Sequence, residues 1–448
     1  MEKQVIIVGA GLVGSLWAVY MSKKGHRVTV YERRSDIRKA EITAGKSINL
    51  ALSDRGWKAL EAVGIAEEIK RDLAIPMTGR IMHDVDGKLT YQAYGKKGQA
   101  IYSVSRGGMN SKMMDLAEAS GNVKIIYNHV CQGVDFEKNE ATFYNTETGE
   151  EVTAVADAIF ACDGAFSAVR YESMQKQPRF NYEQRFIEDG YKELLLPANE
   201  DGSYKLEKNA LHIWPRGRFM LIALPNEDGS FTCTLFMPFK EGNYSFENMK
   251  TDEQVIAFFK EVFPDFYELM PDLIQNWNMH PLSALAIIRC FPWSYNKTVL
   301  MGDAAHATVP FYGQGMNSGF EDCFVMNEIV EKHGENWELV FEKFQRSRKP
   351  DGDAIQDLSI HNYHVMRDFV GDPKFLLQKK IEARFSEKYP DKWMPLYSQV
   401  TFSSIPYKTA WEMGQRQEAI MKEIMQLPNI EEIWDRDEVE QKIMTRLG

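Results

Sequence analysis

The chain opens on a short apolar run, Val5-Ile6-Ile7-Val8, followed over residues 12–24 by apolar positions at helical spacing and over 28–31 by a second apolar run. That succession predicts strand, helix and strand, a βαβ unit whose strands are buried on both faces. Between residues 76 and 101 the pattern changes: Arg80-Ile81-Met82 and Leu89-Thr90-Tyr91 flank Asp86-Gly87, the signature of a hairpin, so this piece is expected in another subdomain. From Ser105 to about Arg170 helix and strand patterns mix, ending in Ala158-Ile159-Phe160-Ala161-Cys162, an apolar strand that stops at Asp163-Gly164. The runs 210–214, 219–224 and 231–239 are parted by Pro215-Arg216-Gly217 and Asn226-Glu227-Asp228-Gly229, which predicts an antiparallel sheet. Residues 298–302 read as another buried strand, followed by a loop and a helix over about 315–332. After about 346 the pattern is helical, broken near Pro373, Pro390, Pro395, Pro406 and Pro428.

The expected fold is therefore α/β: a Rossmann-type nucleotide domain built discontinuously from 1–75, 102–180 and 289–345, a substrate domain with an antiparallel sheet from 76–101 and 181–288, and a helical region, 346–448, closing the pocket. At 448 residues the chain exceeds what one core supports, and 44% hydrophobic with 26% charged residues excludes a disordered protein. A net charge of -11 without a basic run argues against a nucleic-acid partner. The five cysteines are scattered and lack C-x-x-C spacing, which predicts reduced thiols in a cytoplasmic protein and no metal site. No export signal is expected, because a strand begins at Gln4. No membrane anchor is expected either, because no run approaches roughly 18 to 20 apolar residues and 429–448 is rich in charge.

Gly9, Gly11 and Gly14 form G-x-G-x-x-G between the first strand and helix, where backbone amides converge on a pyrophosphate. Glu32, at the end of the second strand, is placed to accept both hydrogen bonds of a ribose diol. Alone, this motif does not choose between NAD and FAD. Two further strand ends do: Cys162-Asp163-Gly164 and Gly302-Asp303, each an acid beside a glycine after an apolar run, suited to the hydroxyls of the ribityl chain that NAD lacks. Finally, Pro310-Phe311-Tyr312-Gly313-Gln314-Gly315-Met316-Asn317 leads into a helix, whose positive end favours negative charge.

In that order the three strand-end motifs resemble those of the single-component flavin aromatic hydroxylases. Over nearly the whole chain the likeness is closer to the kynurenine 3-monooxygenase family, carried by residues 46–56, Gly190-Tyr191-Lys192-Glu193-Leu194, Asn209-Ala210-Leu211-His212-Ile213-Trp214-Pro215, 309–317 and 397–403. The resemblance implies bound FAD, with NADPH and O2 as co-substrates and L-kynurenine as the small-molecule substrate, hydroxylated through a flavin C4a-hydroperoxide to 3-hydroxy-L-kynurenine. It implies that Asp303 binds the ribityl chain, that Asp163 lies near FAD and the path of NADPH, and that Arg106 meets the pyrophosphate. Leu12, Arg33, Ala51 and Val130 join the expected FAD contacts, and Gly315, Met316 and Asn317 face the charge that reduced flavin carries. Around the substrate's amino-acid end the resemblance sets Arg80, Tyr94, Tyr397 and Asn362, with Phe236, Phe311 and Tyr312 along the ring. No side chain is expected to act as a strong base, and His306 and His212 read as structural. Two departures from the family are expected: no C-terminal anchor like that of animal members, and Tyr312 where relatives often have phenylalanine or histidine. A monomer or homodimer is expected. Two rival readings remain open: a related hydroxylase of another small aromatic acid, and a non-catalytic carrier that keeps the FAD fold.

Overall fold

The computed structural model describes residues 2–39, 49–95, 98–366 and 372–447; Lys46-Ser47-Ile48 of the first resembling segment lie outside them. A six-stranded sheet carries, in spatial order, Ser294–Tyr295, Thr298–Leu300, Ala158–Ala161, Gln4–Val8, Arg27–Tyr31 and Val123–Ile126. All neighbours run parallel except the first pair. The register sets Val8 opposite Ala161 and Ala161 opposite Leu300, so three strands end level. Their side chains are almost wholly buried, as a sheet with covered faces requires. The helix Leu12–Lys23 packs against Arg106–Glu118 and Gly315–His333.

A seven-stranded sheet forms the roof, in the order Leu282–Phe291, Asn181–Leu196, Phe231–Pro238, Phe219–Pro225, Ala210–Arg216, Gly79–His83 and Leu89–Ala93. It is mixed rather than wholly antiparallel, because Ala210–Arg216 and Gly79–His83 pair in parallel. These two strands are far apart in the chain, so no hairpin fixes their relative direction. The 16-residue strand Asn181–Leu196 went unforeseen; its first six residues are all exposed and show no alternation of burial. Three helices, Asp252–Val262, Pro264–Leu269 and Leu273–Met279, also fall where the sequence reading expected only sheet. They pack Phe258, Phe259, Phe263 and Phe266 against Trp214, Leu221, Cys233 and Leu235. The other face of the roof presents Met82, Ile213, Met220 and Phe236 to Phe311 and Tyr363.

A small antiparallel sheet of Asn49–Leu52, Ile101–Ser105 and Ala74–Met77 joins the two large ones, so strands straddle both ends of the 76–101 excursion. The helix Trp337–His364 runs unbroken through position 346 with Pro350 inside it, and the helical region therefore has no boundary there. Pro373–Lys388, Leu396–Thr401, Tyr407–Ile424, Ile430–Ile433 and Asp437–Leu447 follow, with Ile381, Phe385, Trp393, Met421 and Val439 as a core of their own. Among the described residues, no helix is long and apolar enough to cross a membrane.

Candidate active site

The three strand-end motifs meet. Gly9, at φ +96°, adopts a backbone conformation that only glycine takes cheaply. A Cβ on Gly9 would stand 2.7 Å from the carbonyl oxygen of Cys162, one on Gly14 would stand 2.0 Å from that of Gly9, and one on Gly302 would stand 2.9 Å from Val13 Cγ2. The first loop thus touches the second strand end, and the helix it opens touches the third. Gly11 is different, because a Cβ there meets nothing within 4 Å and its backbone faces open space. Asp303 is exposed at the head of the turn after Leu300, on the rim of the same crevice. Ligands in open α/β sheets bind beyond the carboxyl ends of the strands, as this crevice does.

Glu32 is buried at the end of Arg27–Tyr31, where Oε2 accepts from the Ala10 N–H at 2.8 Å and Oε1 from the Arg34 N–H and Nε at 3.0 and 2.8 Å. Burial alone would raise its pKa, but Arg34 and these amides hold it below the usual range, so it stays an acceptor. Burial raises the pKa of Asp163, whose Oδ2 accepts from the Val169 N–H at 3.2 Å. Arg33 and Arg106 are exposed, Arg106 as the first residue of its helix, while Leu12 and Val130 are half-buried.

The helix Gly315–His333 begins at Gln314 with no side-chain cap, which leaves the amides of Gly315, Met316 and Asn317 for an anion. The Asn317 side chain is already committed: its Oδ1 accepts from the Ser53 N–H at 2.9 Å, and its Nδ2 donates to the Ala51 and Gly313 carbonyls at 2.8 and 2.9 Å. Its contribution to a ligand is therefore its backbone amide. Ala51 is a strut of this corner, its carbonyl spent on Asn317. Glycines that admit a pyrophosphate, acids at two strand ends and an uncapped helix start suit an extended flavin dinucleotide.

Under the roof lies a cavity of about 830 Å³ lined by Arg80, Met82, Ile213, Tyr312, Asn362 and Tyr397, among others. The Arg80 guanidinium carbon stands 5.3 Å from the Tyr94 ring centre and 5.1 Å from that of Tyr397. These two rings stack at 5.5 Å and 12°, and Tyr312 stacks on Tyr397 at 5.8 Å and 19°. Burial raises the pKa of all three phenols, which keeps them neutral donors. Asn362 Nδ2 donates to the Phe311 carbonyl at 2.6 Å, so what it offers a ligand is its carbonyl oxygen.

Phe236, Phe311 and Tyr94 do not form the cavity wall. Phe236 and Phe311 contact each other with ring centres 4.9 Å apart behind Met82, Ile213 and Met220, and Tyr94 lies behind Tyr397. Their contribution is to set the wall rather than to be it.

His306 and His212 are both buried in hydrogen-bonded settings. His306 Nε2 lies 2.6 Å from Asp322, which also accepts from the Gly302 N–H at 2.9 Å and Arg348 Nε at 2.7 Å. His212 Nδ1 faces His83 Nε2 at 2.9 Å on the outer side of the roof. The sequence reading missed the outer end of the cavity, where His361, Lys379, Glu382 and Glu418 converge from three helices. It also missed the buried ion pairs of Arg55 and Arg348. Of these, Arg55 lay within the resembling segment 46–56 without a role assigned to it, and His361 lay one position before Asn362.

A family model described as an FAD binding domain matches residues 2–348. Kynurenine 3-monooxygenase of Christiangramia forsetii is 52% identical over 448 residues, covering 99% of this chain and 98% of that protein. Kynurenine 3-monooxygenase of Dictyostelium discoideum is 42% identical over 439 residues, covering 95% and 94%. Among solved structures, a tetrameric form of 2-methyl-3-hydroxypyridine-5-carboxylic acid oxygenase superposes with a TM-score of 0.68 at 19% identity, over 83% of this chain and 94% of that one. A tetracycline destructase superposes at 0.62 and 14%, over 91% and 99%. The two structures bear on the fold alone. From the extent and identity of the sequence matches, the chain belongs to the kynurenine 3-monooxygenase family of FAD-binding aromatic hydroxylases.

Proposed function

We propose that this chain converts L-kynurenine, O2, NADPH and a proton into 3-hydroxy-L-kynurenine, water and NADP+. One oxygen atom enters the ring and the other leaves as water, with two electrons from NADPH. The bound FAD supplies the hydride acceptance and oxygen activation that no side chain can. The protein's own part is to bind, orient and keep water out. Gly9, Gly11 and Gly14 admit the pyrophosphate, Glu32 and Asp303 take sugar and ribityl hydroxyls, and the amides of Gly315, Met316 and Asn317 face the negative charge of reduced flavin. Arg80 grips the substrate carboxylate as a fork, with the Tyr397 phenol beside it, Tyr94 stacked behind Tyr397, and the Asn362 carbonyl for the ammonium group. The apolar wall of Met82, Ile213 and Met220, backed by Phe236 and Phe311, excludes water from the aromatic ring.

The observation that carries this reading is Arg80 on the wall of a largely apolar cavity, set against Tyr397 and against Tyr94 stacked behind it. That is a carboxylate receptor beside room for an aromatic ring. The test is NADPH oxidation by the purified yellow protein with a panel of small aromatic acids, the products identified by mass. Kynurenine should accelerate oxidation and gain one oxygen atom. Acceleration by a different aromatic acid alone would transfer the reading to that substrate, and a colourless protein that cannot be reconstituted with FAD would support a carrier. The five cysteines, each buried with a free thiol, support a reducing cytoplasmic setting.

A further inference from the structure

We infer that Arg55 is a positioning residue for hydroxylation, fixing the helix that carries Tyr397 to the loop and helix start beside the flavin site; this rests on the hydroxylase reading above. Arg55 is the second residue of the helix Asp54–Ala62, and its side chain is fully buried. Its Nε donates to the Val400 carbonyl at 3.0 Å, one terminal nitrogen to Glu321 at 2.7 Å and the other to the Ile405 carbonyl. The Tyr407 ring centre lies 4.0 Å from its guanidinium carbon. Val400 belongs to the helix Leu396–Thr401, Ile405 to the turn after it, and Tyr407 opens the helix Tyr407–Ile424 that follows. A six-residue helix has more orphan carbonyls than it can satisfy itself, so a buried guanidinium determines where it sits.

The fourth partner leads to the flavin side. Glu321 lies on the helix Gly315–His333 and is shared with Arg348 at 2.8 Å, while Arg348 also binds Asp322, the residue that accepts from the Gly302 N–H ahead of Asp303. By a second route, the Tyr407 hydroxyl donates at 2.9 Å to Gln314, which precedes that same helix. Arg55 therefore holds Tyr397's helix and the flavin-facing loop in one arrangement. A purely structural anchor gives no reason for both routes to end at the two flavin-facing motifs.

If that helix shifts, the substrate ring moves off the oxygen-activating position and the two electrons go elsewhere: NADPH, a proton and O2 become NADP+ and H2O2. The consequence of losing Arg55 is then a change in partition, not a loss of FAD. The experiment compares wild type, Arg55→Lys and Tyr407→Phe for hydroxykynurenine formed and peroxide released per NADPH, with KM, kcat, FAD content and thermal midpoint alongside. Lysine keeps the charge toward Glu321 but cannot serve both carbonyls, so Arg55→Lys should raise the peroxide share about fivefold, the equivalent of one hydrogen bond, at unchanged FAD content. Tyr407→Phe should move it in the same direction by less, and it decides the matter if Arg55→Lys does not fold. Variants that melt earlier yet form as much product per NADPH as wild type would make Arg55 a structural residue and overturn the inference. A wild type whose NADPH oxidation ignores kynurenine would overturn the underlying reading, and this inference with it.

Discussion

The guanidinium carbon of Arg80 lies 5.1 Å from the ring centre of Tyr397, so a cation on a roof strand is held against an aromatic on the helix Leu396–Thr401 of the helical region. The contact closes the cavity from two sides and leaves the guanidinium edge for a carboxylate. Truncating Arg80 removes the charged partner of the substrate without touching the dinucleotide crevice. Arg80→Ala should raise KM for kynurenine about 10- to 100-fold, in keeping with about 1.5–3 kcal/mol for a charged hydrogen bond, with FAD content unchanged. Steady-state kinetics with flavin quantification check this, and an Arg80→Ala enzyme with wild-type KM would remove Arg80 from the substrate site.

Asp303 makes the opposite prediction. It is exposed on the rim at the third strand end, where Leu300 stands level with Ala161 and, through it, with Val8. Asp303→Ala should weaken FAD binding about tenfold by loss of one charged acceptor, while Asp303→Asn, which keeps an acceptor oxygen, should lose less. Fluorescence titration of apoprotein with FAD measures both. Equal affinities in wild type and Asp303→Ala would show that the ribityl chain is held elsewhere.

The parts of this molecule legible in its sequence are those whose information is local. Gly9, Asp163 and Asp303 each follow an apolar run within a few positions, and adjacent parallel strands then bring them together. The strand Asn181–Leu196 was not legible, because its exposed beginning, Asn181 to Arg185, lacks alternation and is specified by its partner Leu282–Phe291. The helices over 252–279 were hidden because phenylalanines such as Phe258 and Phe259 suit strand and helix alike. The role of Arg55 was not legible although it lies within the resembling segment 46–56, since its partners Glu321, Val400 and Ile405 lie more than 260 positions away and no spacing rule reaches them.

The first glycine loop separates packing from ligand binding. A Cβ on Gly14 would collide with the Gly9 carbonyl oxygen at 2.0 Å, so Gly14→Ala forces the helix Leu12–Lys23 off the loop. Its apoprotein should lose about 1–3 kcal/mol of stability, the usual cost of overpacking. Gly11 at φ -72° has open space before it, so Gly11→Ala should leave the apoprotein as stable as wild type and lower only the affinity for FAD. Urea unfolding of the two apoproteins beside FAD titrations distinguishes them. Equal destabilisation by both substitutions would mean that the open face of Gly11 serves the fold, not a ligand.

His212 predicts an acid limit to stability. Its Nε2 faces the Glu207 carbonyl at 2.9 Å and its Nδ1 faces His83, which in turn lies 3.2 Å from Asp265, near Arg216 at 3.8 Å. Burial, foremost, lowers its pKa from 6.5 to about 4. Between these values the unfolded chain takes up a proton at this position that the folded chain refuses, so stability must rise with pH across that window and fall as the solution is acidified through it. The full difference is about 3 kcal/mol, most of it incurred by the time pH reaches about 4. Asp322 does not mask the effect, because His306 and Arg348 overcome its burial and hold its pKa at about 2, below the window. His212→Gln removes the titrating group, so the variant should lose less stability than wild type between about pH 7 and about pH 4.5, even if it starts lower. Urea unfolding at the two pH values measures both losses, and equal losses would show that His212 is free to protonate in the folded protein.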